Sequence, residues 1–99
     1  MKNLLKKDGE LKARYQYVIS LILEGTKKFY LKRWAGTNKH RTLLESEYYN
    51  MLCVLNELNI RFEVGNDAPR GGVTGDYIQI ISDRRNSNYN KLLKNELFK

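Results

Sequence analysis

Leu11-Lys12-Ala13-Arg14-Tyr15-Gln16-Tyr17-Val18-Ile19-Ser20-Leu21-Ile22-Leu23 carries two competing periods, and the fold depends on which one wins. Leu11, Ala13, Tyr15, Tyr17, Ile19, Leu21 and Leu23 fall on one parity, with Lys12, Arg14, Gln16, Val18, Ser20 and Ile22 on the other. Alternation of this length, rich in aromatic and β-branched residues, predicts a half-buried strand. The same residues also contain a helical stripe, Leu11, Tyr15, Val18, Ile19 and Ile22, with Gly25 placed to cap its end. The alternation is the cleaner match, so a strand is expected, with a helix as its rival.

The next segment favours the strand because it supplies a partner. Lys28-Phe29-Tyr30-Leu31-Lys32-Arg33-Trp34 alternates as well, and Glu24-Gly25-Thr26-Lys27 joins the two runs as a hairpin connection. Phe29 and Leu31 would face the core. Lys28, Tyr30, Lys32 and Trp34 would share the opposite face with Lys12, Arg14 and Gln16.

Ala35 to Arg41 reads as a loop. Thr42-Leu43-Leu44-Glu45 has capping-box form, and Leu44, Tyr48, Met51, Leu52, Leu55 and Leu58 follow at helical spacing. Glu45 and Glu47 suit the positive end of that helix, and Asn59 suits the left-handed residue that stops it. Ile60–Val64 alternates apolar and charged residues, as a strand with one wet face does. Tyr77–Ile81 is its expected antiparallel partner across a Gly-rich loop, and Asn88 would cap a short last helix carrying Tyr89, Leu92, Leu93 and Leu97.

The expected fold is therefore a single α+β domain over residues 1–99. Residues 1–9 form a polar leader set off by the Asp8-Gly9 turn. The order is ββαββα, with a four-stranded, mainly antiparallel sheet and two helices on one face. If the first segment is a helix, the order becomes αβαββα.

Composition narrows the functional classes. Ninety-nine residues, 41% hydrophobic and 29% charged, are those of one ordinary globular domain. No apolar run is long enough to cross a membrane, and the basic N-terminus lacks the pattern of a signal peptide. A single cysteine, Cys53, rules out an intramolecular disulfide and fits a reducing compartment, so a cytoplasmic location is expected. Cys53 sits mid-helix, far in sequence from basic residues, and reads as core filler.

The net charge of +7 is uneven. Residues 1–41 hold eleven Lys and Arg against Asp8, Glu10 and Glu24, whereas residues 42–58 are acidic. Such a surface attracts polyanions. Abundant Asn and scarce Ala fit AT-rich coding, as in a low-GC bacterium or its phages.

The candidate site is the outer face of the first hairpin. Lys12, Arg14, Lys28 and Lys32 would neutralise phosphates while Tyr30 and Trp34 stack on bases or sugars. His40, between Lys39 and Arg41, would add a phosphate contact. Arg70, beside Gly71-Gly72, would add another, although that loop matches no nucleotide-binding motif.

No catalytic residue, metal ligand or cofactor is expected. His40 has no orienting carboxylate in sequence, and Glu63, Asp67, Asp76 and Asp83 are too scattered for a metal signature. The two aspartates of the long loop read as turn residues.

The expected function is a small, basic, non-enzymatic protein that engages nucleic acid through this face with little sequence specificity. The alternative is a modulator or inhibitor of a nucleic-acid-handling or otherwise acidic protein, of the kind a virus or mobile element encodes. A weaker alternative is a metal-dependent nuclease using the scattered carboxylates.

Overall fold

In the computed structural model, which describes residues 6–7, 10–32, 42–67 and 73–94, the first segment is a helix. Helix α1 runs Ala13–Leu23 and buries Tyr15, Val18, Ile19, Leu21 and Ile22. The expected strand at Leu11–Leu23 is thereby corrected, and the hairpin with it. Tyr17 and Leu23, which completed the alternation, are 46% and 50% exposed. They lie off the buried stripe, and it is the stripe that packs. Gly25 ends α1 at φ 97°, its N–H donating to the Ile22 carbonyl at 3.0 Å. That backbone is cheap only for a residue without Cβ.

The remaining elements are β1 (Lys28–Lys32), β2 (Thr42–Leu43), α2 (Glu45–Glu57), β3 (Phe62–Asn66), β4 (Val73–Ile80) and α3 (Ser87–Leu93). The class is α+β, as the sequence implies. The order is αββαββα, the helical rival plus one two-residue strand. The sheet runs β2-β1-β4-β3. Strands β1 and β2 are parallel, whereas β4 is antiparallel to both β1 and β3. The sheet has four strands and is mainly antiparallel, as expected, with one parallel pair, and three helices rather than two accompany it among the described residues.

One apolar cluster joins the layers. Phe29, Leu43, Ile78 and Ile80 from the sheet meet Val18, Ile22, Met51, Val54, Leu55, Tyr89 and Leu92 from the helices. Because strand side chains alternate, Lys28, Tyr30, Thr42, Glu63, Gly65, Tyr77 and Gln79 fall on the opposite, outer face. In β1 the expected division holds, with Phe29 turned inward and Lys28 and Tyr30 outward.

Helix α2 lies where expected but starts later. Thr42 and Leu43 pair with Tyr30 and Leu31 as strand β2, so Thr42 is not the cap. Leu44 takes that position, and its N–H donates to Glu47 Oε1 at 2.8 Å. A leucine side chain accepts nothing, so only the carboxylate half of the reciprocal cap exists. At the other end Asn59 adopts φ 55°. The Asn59 N–H donates to Asn56 and the Ile60 N–H to Leu55, which together make a Schellman stop with asparagine in the left-handed position.

Strand β3 begins at Phe62, two residues beyond the expected start, and β4 extends back to Val73 into the segment read as loop. Between Tyr30 and Lys32 on β1, β4 steps from Tyr77 to Val73, a bulge that contains Gly75 at φ 99°.

The Asn86 side chain, 1% exposed, fastens the end of the sheet. Asn86 Oδ1 accepts the Arg61 N–H at 2.8 Å, while Nδ2 donates to the carbonyls of Arg61 at 2.9 Å and Ile81 at 2.7 Å. Asn88 does not cap α3. Its Nδ2 instead donates to the Leu58 carbonyl at 2.8 Å, at the end of α2. Tyr89 and Leu92 are buried as expected, Leu93 is exposed, and Leu97 lies outside the described residues.

Two stability predictions follow from these polar groups. Asn86→Ala deletes all three bonds of the clamp and should cost about 1–3 kcal/mol in urea unfolding. Tyr89 Oη is buried with no hydrogen-bond partner, and burial raises the pKa of the phenol. Tyr89→Phe removes that unmet group with little change of shape and should leave stability unchanged or raise it by up to about 1 kcal/mol.

Candidate functional site

The outer face of the sheet is organised in two cross-strand rows. Thr42, Tyr30, Tyr77 and Gly65 stand side by side on β2, β1, β4 and β3, and Lys28, Gln79 and Glu63 form the next row. The central pair is aromatic. Tyr30 and Tyr77 meet edge to face, with ring centroids 5.9 Å apart and planes at 65°, a favourable quadrupolar arrangement.

Gly65 makes room for this pair. A Cβ there would collide with Tyr77 Oη and Cζ, so the Tyr77 ring lies directly over the glycine backbone. Such glycine shielding by a cross-strand aromatic is a recurring sheet device.

Lys28 completes the cluster. Its ammonium lies 4.2 Å from the Tyr77 ring centroid and 5.2 Å from that of Tyr30, and 3.3 Å from Asp67 Oδ2. Tyr30 Oη donates to the same carboxylate oxygen at 2.7 Å. Asp67, expected as a turn residue, is instead the anchor of an aromatic box around a cation. The hydrogen bond with Tyr30, followed by those with Asp67, outweighs partial desolvation and raises the Lys28 pKa above its usual value. The stabilisation this provides is complete below the ordinary lysine pKa and is lost only as pH rises through the raised one. Lys28 thus carries its charge throughout the neutral range.

A basic rim adjoins this face at one end. The Lys27 carbonyl accepts the Ile80 N–H at 2.8 Å and the Arg61 carbonyl accepts the Ile81 N–H at 3.1 Å. Asn86 joins Arg61 to the turn after β4, and that turn carries Arg84 and Arg85. Lys27, Arg61, Arg84 and Arg85 are all exposed. Asp83 opposes them, its pKa lowered mainly by the Arg85 backbone N–H at 2.6 Å and then by the Arg85 side chain.

The expected site is therefore only partly assembled. Lys28 and Tyr30 stand together on the outer face. Lys12 and Arg14 do not join them, because they sit on the first turn of α1, in the helical layer behind the sheet. There the Arg14 guanidinium stacks on Tyr15, 4.8 Å from the ring centroid. The backbone of Lys32 ends β1, but its side chain, together with Trp34, His40 and Arg70, lies outside the described residues.

Sequence reasoning missed Tyr77, Gly65 and Asp67 as members of the face. Tyr77 sits in a recognisable strand, so its parity opposite Ile78 and Ile80 was the available signal. Nothing local announces that Asp67 reaches β1.

Among the described residues no group of three or more His, Cys, Asp or Glu is placed to hold a metal ion, and no helix is long and apolar enough to cross a membrane. No protein-family model, curated protein or solved structure matches the chain.

The cation–π contact has a direct spectroscopic consequence. With its ammonium over the Tyr77 ring, Lys28 should show upfield-shifted ε-methylene protons in NMR spectra. Gly65→Val, which evicts the ring, should return them toward ordinary lysine values. Unshifted protons in the unsubstituted protein would show that the box does not form in solution.

Proposed function

We propose that this chain is a non-enzymatic binding protein that holds single-stranded nucleic acid across the outer face of its sheet. The observation that supports this most is the pairing of Tyr30 with Tyr77 at the centre of a face that no helix of the described residues covers, a few residues from a rim of Lys27, Arg61, Arg84 and Arg85. An open sheet with aromatic residues on neighbouring central strands offers platforms for unpaired bases. Arginines and lysines at its edge neutralise the phosphates that thread past.

Each part has a separate role. The Tyr30 hydroxyl is tied to Asp67, so its ring is fixed before a base arrives and little entropy is lost in ordering it. Lys28 is already balanced by Asp67 and serves to position the rings more than to bind phosphate. The long-range attraction comes from the rim, where four cations outnumber the carboxylates of Asp83 and Glu63. Neither the rings nor the rim reads base edges in a fixed pattern, which implies little sequence preference.

Fluorescence titration with a labelled oligonucleotide at several salt concentrations tests both roles. Tyr77→Ala should weaken binding by about 1–3 kcal/mol without changing the salt slope. Tyr30→Phe, which keeps the ring, should cost much less than Tyr30→Ala. Arg61→Ala and Arg84→Ala should each reduce the slope by about one unit and weaken all sequences alike. If no DNA or RNA strand binds at about 50 mM salt, this function is wrong, and the surface is better sought in complexes with an acidic protein.

A further inference from the structure

Strand β3, Phe62–Asn66, lies at the edge of the sheet and pairs only with β4 among the described residues. The Arg61 carbonyl accepts from Ile81 and the Asp67 N–H donates to Gly75, so odd-numbered residues of this strand direct their backbone groups toward β4. By the antiparallel alternation, the N–H and C=O groups of Phe62, Val64 and Asn66 point away from the sheet. Protein edges are ordinarily blunted by lysine, proline, a bulge or a covering segment. This strand has no lysine or proline, and its register with β4 runs without a break. Its middle side chain, Val64, is 59% exposed although it faces the helical side.

We infer that β3 is a self-pairing edge, and that two copies of this chain join antiparallel through it, centred on Val64, to form one continuous eight-stranded sheet. The register follows from charge. Outward-pointing backbone groups must meet each other, so even-numbered residues face even-numbered ones. Centring on Glu63 would set that carboxylate against Glu63 of the second copy, and centring on Gly65 would set it against Asp67. Like charges directly opposed across strands are destabilising.

Centring on Val64 avoids both clashes. Glu63 then faces Gly65 of the second copy, on the side where the Tyr77 hydroxyl lies over that glycine. Arg61 faces Asp67, an opposite charge, twice over by symmetry. The two exposed valines cover each other, and Phe62 faces Asn66. The two-fold axis runs through the sheet, so both outer faces end on the same side.

So short an edge buries less than the roughly 1,200 Å² of most stable interfaces, which makes a dimer that dissociates in the micromolar-to-millimolar range. This inference does not depend on nucleic-acid binding.

Sedimentation equilibrium of the full chain from about 10 µM to about 1 mM spans that range. The expected result is a monomer–dimer equilibrium that Val64→Lys weakens at least tenfold, while circular dichroism shows the fold unchanged. The register is read independently by oxidative cross-linking in a Cys53→Ser background. Val64→Cys places two sulfurs on directly opposed positions, about 5.5 Å apart at Cα and within disulfide reach, so it should cross-link faster than Glu63→Cys. A monomer at about 1 mM, or a dimer indifferent to Val64→Lys, overturns the inference. Faster cross-linking by Glu63→Cys overturns the register.

Discussion

Pairing between β1 and β4 is the constraint on which the rest of this structure depends. It joins residues 28–32 to residues 73–80, places Phe29 beside Ile78 on the core side and Tyr30 beside Tyr77 on the outer side, and leaves β2 and β3 to flank them. Without it the aromatic pair does not exist, Lys28 has no second ring, and Asp67 has no reason to approach Tyr30. The contact is also costly to form, because 40 residues, 33–72, separate the two strands and loop closure precedes any reward. A tyrosine pair, a shared carboxylate and an inserted ammonium on the solvent side add side-chain interactions to a ladder that the core already favours.

Much of the fold was legible, and the failures have identifiable causes. Helix α2 and its Asn59 stop could be read because stripe and terminus lie within one short stretch and agree, although the cap falls on Leu44 and not on Thr42. Leu11–Leu23 misled because two exposed residues, Tyr17 and Leu23, completed an alternation that the packing ignores. Period two and period 3.6 share many positions over so short a run, and the tie is broken only by what the rest of the chain offers as a partner. That partner proved to be the helical layer, where Tyr15, Val18 and Ile22 meet α2 and the sheet. The mistaken strand also carried Lys12 and Arg14 onto the wrong surface, which is why half of the expected charge cluster dissolved.

Groups whose meaning depends on distant partners were the least legible. Asn86 looks like any loop asparagine, yet its carboxamide ties the start of β3 to the end of β4. Asp67 resembles a turn residue and instead reaches across the sheet to Tyr30 and Lys28. Charge shows the same effect. Along the chain the excess of cations falls in residues 1–41. In space, backbone hydrogen bonds set Lys27 from that region and Arg61 from the weakly charged C-terminal part on either side of the end of β4, just before the turn that carries Arg84 and Arg85. Net charge per segment therefore did not show where in space these cations are displayed.

The edge strand and the outer face bear on each other through geometry. Antiparallel pairing about Val64 keeps alternate side chains on the same side in both copies, so Tyr30, Tyr77 and Lys28 of each would lie on one broad surface. On the proposed function, two weak platforms joined in this way would act on the same strand at an effective concentration set by a rigid sheet rather than by diffusion. Binding of a long strand would then strengthen the dimer, and dimerisation would strengthen binding, by the same factor. Oligonucleotides too short to reach both platforms would show neither effect. On that function, an edge weak on its own would still govern how tightly a long ligand is held.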